Sequence, residues 1–213
     1  MTDQESPRER RPARSKADQR ILEAARRLFL ERGMAGVNMD LIAAAASVAR
    51  QTLYNRFGSK EAIFQAAIEA HWSMLADPTL RLDPDETPEV VLRKVATDIL
   101  DFIRERDQIA MTRMVIAESR SLPKVSEAFY RLGKAPSLQL FVDYLSQSAA
   151  RGVLMLDDAE LAARQFIGMV QEVLLWPQVM GQPAAPPDRE QHAIDGAIGV
   201  FLAAYAPSAR ERE

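Results

Sequence analysis

The segment Arg50-Gln51-Thr52-Leu53-Tyr54-Asn55-Arg56 carries a hydrogen-bonding side chain at every position but one, the exception being Leu53. Such a run constrains the chain sharply. As a helix it is about 10 Å long, and helices shorter than about 12–15 residues are marginal by themselves. Its apolar stripe is only Val48, Leu53 and Phe57, too narrow to anchor a free-standing surface helix. Neighbouring elements must clamp it, and they leave one polar face turned outward.

Those neighbours read as helices. Ile21, Leu22, Ala25, Leu28 and Phe29 recur at helical spacing, and Gly33 ends the run. Asn38 is the expected N-cap of a short helix from Met39 to Ala46, and Ser59 that of a longer one bearing Ala62, Ile63, Ala66, Ala67 and Ala70. The stretch at residues 77–88, with Pro78 and PDETP, marks a loop. Beyond it the periodicity predicts helices over Glu89–Arg106, Gln108–Arg120, Pro123–Arg151 (interrupted near Gly133 to Pro136), Asp157–Met180 and Asp188–Ala206. Asp157 and Asp188 are the expected helix-start carboxylates, and GQPAAPPD is a linker whose prolines cannot continue a helix. No strand pattern is evident. The expected fold class is all-α: an N-terminal three-helix helix-turn-helix domain, then a C-terminal helical domain for ligand binding and dimerisation.

Composition removes several function classes. With no cysteine among 213 residues, thiolate zinc sites, disulfide frameworks and cysteine nucleophiles are excluded. The two histidines, His71 and His192, lie far apart without ligand spacing, so both read as structural and no metal or cofactor is expected. Asp157-Asp158 reads as a helix start rather than a catalytic dyad. The start MTDQESPRERRPARSK is basic and polar, unlike a secretory signal, and no apolar run nears the ~18 residues that span a bilayer. A cytoplasmic protein with no membrane partner is expected. Charge is uneven: residues 1–60 hold 12 Lys/Arg against 7 Asp/Glu, a balance of +5, and the remainder balances at −8. One end is suited to a polyanion, although a basic tail on an acidic domain would give the same numbers.

Two short helices joined by a tight turn, the second polar-faced, outline a helix-turn-helix. The helices at 21–29 and 41–45 would clamp Leu53 and Phe57 through Leu28, Phe29, Leu41, Ile42 and Ala45. The free face then suits a major groove. Arginine can fork onto guanine, glutamine pairs with adenine, and threonine meets a base edge or a thymine methyl. Tyr54 and Lys60 suit phosphates, which fix register without reading sequence. The competing reading is a solvated face on an ordinary bundle.

Residues 18–71 resemble the DNA-binding domain of the TetR (tetracycline-repressor) family of bacterial one-component regulators. The pattern that carries the resemblance is Ile21-Leu22-Ala24-Ala25 with Leu28-Phe29 and Gly33, Ile42-Ala43, Thr52-Leu53-Tyr54-Arg56-Phe57, Ser59-Lys60 and Phe64. The resemblance implies that Arg50, Gln51, Thr52, Asn55 and Arg56 face bases or phosphates, with Tyr54 and Lys60 on backbone phosphates. It departs in the turn, where Ala46-Ser47-Val48-Ala49 replaces the usual Ala-Gly-Val-Ser. A left-handed serine costs roughly 1–2 kcal/mol that glycine avoids. Ala49 forgoes a capping hydroxyl worth about 1 kcal/mol, and with it a phosphate contact. Asn38 stands where threonine is common.

Met111 to Tyr130 and Ser148 to Val170 are similar to the AefR-like branch of the family's ligand-binding domains. A Met/aromatic set, Trp72, Met111, Met114, Phe129, Phe141, Phe166, Met169 and Trp176, is either core or the wall of an apolar ligand cavity. Ligand-contact candidates among them are Trp72, Met111, Met114, Phe129, Phe166 and Met169. Arg113, Glu118, Gln165 and Glu172 are the polar candidates. The stripes Ala162, Phe166, Val170, Leu174, Leu175 and Ile194, Ala197, Ile198, Phe201, Leu202 are either core or, as the resemblance implies for this helix pair, a four-helix dimer interface.

The expected organisation is a basic disordered arm at 1–17, able to reach DNA or simply solvated, the helix-turn-helix domain at 18–64, the ligand-binding and dimerisation domain at 65–206, and a tail at 207–213. The expected function is a homodimeric regulator, a repressor released by a hydrophobic small molecule, on a palindromic double-stranded DNA operator. An enzyme would need a nucleophile, an acid–base pair or a metal cluster, and none is legible. The alternatives are a helical enzyme or ligand carrier with a degenerate helix-turn-helix as scaffold, and a protein-binding adaptor.

Overall fold

The computed structural model describes residues 15–75, 82–105 and 107–207, with the side chains of 73–75 excepted. Most of the basic arm, residues 1–14, and the tail from 208 onward lie outside the described residues. All regular elements among those described are helical, and the chain forms two compact units, 1–67 and 68–213.

In the first unit, α1 (Lys16–Arg32), α2 (Met39–Ala46), α3 (Arg50–Phe57) and the opening turns of α4 (Lys60–Leu75) surround one core. Helix α1 opens with a capping box: the Ser15 hydroxyl accepts from the Asp18 amide at 3.1 Å, and the Asp18 carboxylate accepts from the Ser15 amide. The helix therefore begins two residues inside the stretch expected to be arm. Asn38 caps α2 through the Leu41 amide at 2.9 Å, and Ser59 caps α4 through the Ala62 amide at 3.1 Å. Gly33 closes α1 at φ 66°. Ile21, Leu22, Ala25, Leu28 and Phe29 are buried, and Phe29 meets Phe64 edge-to-face at 5.0 Å. The inner face of α2 is Met39, Ile42, Ala43 and Ala46, whereas Ala45 is exposed and Leu41 half-buried. The expected clamp is thus rotated by about one residue, because the αL turn after Ala46 fixes which side of α2 faces inward.

In the second unit, α5 (Pro88–Arg104), α8 (Ala135–Ala150), α9 (Ala159–Leu174) and α11 (Pro187–Tyr205) enclose the main core. Phe166 sits at its centre, edge-on to Phe141 at 5.7 Å and to Phe201 at 5.6 Å. Helices α6 (Gln108–Glu118), α7 (Pro123–Phe129) and the short α10 (Trp176–Val179) close one side. Asp158, rather than Asp157, caps α9, accepting from the Leu161 amide at 2.8 Å. The interruption expected near Gly133 is a π turn, Tyr130–Lys134, between α7 and α8. Its cause is local: Pro136 has no N–H to donate four residues back and its ring crowds that carbonyl, so the ladder widens instead of continuing.

The paired stripes on α9 and α11 point inward. Ala162, Phe166, Val170, Leu174, Ile194, Ala197, Ile198 and Phe201 are all core, with Leu175 buried and Leu202 half-buried beside them. They are filled by their own chain, so a dimer face cannot be built from them. The opposite faces of the two helices are the ones left exposed.

Candidate nucleic-acid interface and ligand cavity

The turn between α2 and α3 has the conformation the sequence makes costly. Ser47 is left-handed, φ 55° and ψ 49°, and its amide is shared between the Ala43 and Ala44 carbonyls. Ala49 precedes α3 without a side-chain cap. Leu53 is fully buried and Phe57 half-buried. One buried leucine contributes about 1.5–3 kcal/mol, enough to pin a two-turn helix whose other face is wholly polar.

On that face Arg50, Gln51, Tyr54, Asn55 and Arg56 are exposed and Thr52 is half-buried. These side chains are already organised by one another. Arg50 donates to Asp40 of α2 at 3.2 Å and to the Tyr54 hydroxyl at 3.3 Å, with its guanidinium over the Tyr54 ring. Both partners hold Arg50 charged, the Tyr54 hydrogen bond most. Gln51 donates to Asn55 at 2.9 Å, one helical turn on. Arg56 reaches across to α1, where it donates to Ser15 at 3.0 Å and pairs with the Asp18 carboxylate. The Asp18 carboxyl lies below its ordinary value, first through its hydrogen bond with Ser15 and then through Arg56. Lys60 is not a bare phosphate ligand: its ammonium donates to the Met34 carbonyl at 2.9 Å and is only partly exposed. Asp40, Asp18 and Ser15 have no motif of their own and were not legible as partners. The S-x-x-D capping box around Ser15 was the one available signal.

The second unit contains a cavity of about 630 Å³. Trp72 forms one wall, fully buried, stacked on Phe102 at 5.5 Å and edge-on to Phe129 at 4.8 Å. Gly133 of the π turn packs against the Trp72 ring so closely that a Cβ there would lie 3.0 Å from it. Ile99, Val115, Ile116, Leu138, Phe141, Ile167 and Leu175 continue the apolar lining. Polar groups lie at intervals: Thr112 and Gln171 inside, and Asp98, Asp101, Glu105, Lys134 and Arg164 about the opening, Arg164 being tied to Glu160 and Tyr130.

Of the six sequence-derived ligand contacts, Trp72 and Phe129 line this cavity. Phe166 is core, Met111 is buried outside the lining, and Met114 and Met169 are half-buried outside it. The polar candidates are elsewhere too. Arg113 donates to the Gln178 and Val179 carbonyls, tying α6 to α10, Gln165 accepts from Tyr205 at 2.6 Å, and Glu118 and Glu172 are not in the lining. Gln108 and Thr112 were missed, although their signal was present. They occupy apolar-stripe positions of α6 alongside Met111 and Val115, where polar residues need partners.

A polar-faced second helix, set by a left-handed turn, has the outline of a DNA-reading helix-turn-helix, and the second unit holds an aromatic-lined cavity. Comparison with known proteins agrees. Residues 21–67 match the model of the bacterial regulatory proteins of the tetR family, and residues 90–207, more than half of the chain, match the AefR-like transcriptional repressor C-terminal domain. The chain belongs to the TetR family of transcriptional regulators, a family of regulators rather than enzymes. An uncharacterised HTH-type regulator of Bacillus subtilis, YerO, is 24% identical over 74% of this chain and 56% of its own length. One of Mycobacterium tuberculosis is 48% identical over 24% of this chain and 26% of its own. The chain thus spans about half or less of the curated relatives it matches. Among solved structures, the flavonoid-responsive regulator FrrA is 30% identical, covering 91% of this chain and 99% of that one, with a TM-score of 0.78. A TetR regulator from Agrobacterium tumefaciens is 26% identical over 92% and 97%, with a TM-score of 0.69. Among the described residues no helix is long and apolar enough to cross a membrane, and no cluster of His, Asp or Glu is arranged to hold a metal.

Proposed function

We propose that this chain is a homodimeric repressor that reads a palindromic operator with α3 and releases it when an aromatic small molecule occupies the cavity. The observation that carries the reading is the α3 face, on which every exposed side chain is a base- or phosphate-binding type. Arg50, Gln51, Thr52 and Asn55 would read base edges, and Tyr54, Arg56 and Lys60 would serve the backbone. Arg56 must leave Asp18 to do so. A repressor rather than an activator is favoured by the match of the second unit to a repressor domain.

Support for the dimer comes from the faces of α9 and α11 that the core leaves free. On α11 that face is Gly196, Gly199, Val200 and Ala203, and on α9 it includes Leu161; Leu161 is 50% and Val200 60% exposed. Glycine in a helix interior costs about 1 kcal/mol relative to alanine. A Cβ on Gly196 or Gly199 would meet nothing within 4 Å of its own chain. Close approach of a second copy's helix gives those glycines a reason. A twofold pair would then present two α3 helices to half-sites about 34–36 Å apart. The effector is taken to be a planar oxygen-bearing aromatic, since six aromatic residues line the cavity and the similar FrrA is named for its response to flavonoids.

Selection of bound fragments from a random duplex pool tests this. The expected product is a palindrome with two half-sites one helical turn apart. Gln51→Ala should relax base preference, by about 1–3 kcal/mol for a bidentate contact. Lys60→Ala should weaken all duplexes alike and flatten the salt slope. Enrichment of no sequence would overturn the reading.

A further inference from the structure

Helix α6 carries a buried polar chain that reaches α4. Gln108 is fully buried, yet its side chain makes only two hydrogen bonds among the described residues. Its carbonyl oxygen faces His71 Nε2 of α4 at 3.2 Å, and its amide nitrogen donates to the Thr112 hydroxyl at 3.3 Å. Burying a primary amide costs free energy that an apolar side chain of the same size would not. Thr112 is 6% exposed and lines the cavity. Since its oxygen accepts from Gln108, its own proton is left to be donated, and the cavity is where an acceptor can stand.

Resting on the effector-released regulator reading, we propose that Thr112 donates a hydrogen bond to an acceptor oxygen of the effector, and that Gln108 is the positioning residue that carries this contact to His71 on α4. The polarity of the chain is fixed by its ends. A ligand oxygen that takes the Thr112 proton holds the Thr112 oxygen as acceptor of the Gln108 amide. The Gln108 oxygen is then held toward His71, whose Nε2 must carry a proton to meet it. His71 stands one residue from Trp72 on α4, the helix whose first turns belong to the DNA-reading unit. An effector with an oxygen at Thr112 therefore acts on α4 at two adjacent positions, by packing against the aromatic wall that holds Trp72 and by hydrogen bonding at His71. A hydrocarbon of the same shape acts only at the first.

The test uses the full chain, its selected operator, and two probes of matched outline, 5,7-dihydroxyflavone and 2-phenylnaphthalene. Binding is followed by quenching of tryptophan fluorescence. Thr112→Val should weaken the flavone by about tenfold, the scale of one well-made hydrogen bond, and leave the hydrocarbon within about twofold. Gln108→Met, which keeps the volume, should bind the flavone within a few-fold of wild type, yet release operator only in part when saturated. In the ¹⁵N-histidine-labelled protein, which has only two histidines, the His71 Nε2 resonance should shift on adding flavone, and stay in place in Thr112→Val. Equal losses for both probes, full operator release by Gln108→Met, or an unmoved His71 resonance would each overturn the relay. So would a wild-type protein that binds operator but not flavone, with the DNA-binding reading left standing. A wild-type protein that binds flavone but no operator would instead strike that reading, and the fluorescence and resonance arms would still decide the role of Thr112.

Discussion

Ser47 and Asp18 show how single residues of the reading unit trade stability for geometry. At φ 55° the Ser47 backbone sits where its Cβ crowds the following carbonyl, at about 1–2 kcal/mol. Glycine removes that strain and adds about 0.4–1 kcal/mol of unfolded-chain entropy. Ser47→Gly should therefore raise the melting temperature slightly; a fall in a thermal melt would show that the hydroxyl has a compensating role. The Asp18 carboxyl is held below its ordinary value of 3.8 by Ser15 and Arg56. Folding lowers its pKa, so its contribution is complete above the ordinary carboxylate range and disappears as pH falls through the folded value. The stability gap between wild type and Asp18→Asn should thus be present at pH 6 and shrink as pH drops below about 4. Melts at the two pH values check this, and a gap that does not close would remove Asp18 from the account.

At the scale of the element, α9 and α11 each carry two usable faces. Leu174 is 2% exposed within its own chain. Leu174→Glu would bury an unpaired carboxylate at a cost of several kcal/mol, so it should unfold the second unit instead of separating a pair of folded copies. Val200→Glu, on the face the core leaves open, should keep the melting transition of the folded chain while abolishing dimers and operator binding. Light scattering and circular dichroism on the two variants separate these outcomes. A folded, dimeric Val200→Glu would move the interface elsewhere. The π turn is an element of similar consequence, since it brings Gly133 onto the Trp72 ring where a regular helix would present a side chain.

For the whole molecule, the proposed release of operator by an effector makes the governing quantity a coupling free energy between cavity and operator. An effector shifts operator affinity only by its differential affinity for the two states, about 1.4 kcal/mol per tenfold change. Operator must weaken effector binding by the same factor. Calorimetric titration of 5,7-dihydroxyflavone, with and without saturating operator, should therefore give unequal affinities whose ratio matches the loss of operator affinity. Equal affinities would sink release by that effector. The uneven charge, +5 over residues 1–60 and −8 beyond, supports the same division of labour: one end draws a polyanion and the other resists it.

The sequence by itself determined the helices, their caps at Asn38 and Ser59, the stop at Gly33 and the polar face of α3. Each of these depends on neighbours three or four residues away, and local periodicity records them directly. Ser47 was legible only through the family resemblance, which puts a glycine at that turn position. Only the tertiary structure decided that Arg56 pairs with Asp18, 38 residues back, and that Phe166 fills core while Thr112 meets the cavity. Periodicity says that a helix has an apolar stripe; it does not say what the stripe packs against. Where a helix has apolar residues on two faces, as α11 has with Ile194, Ile198 and Phe201 on one and Val200 and Ala203 on the other, the choice between core and interface belongs to the packing of elements far apart in the chain, and no local pattern encodes it.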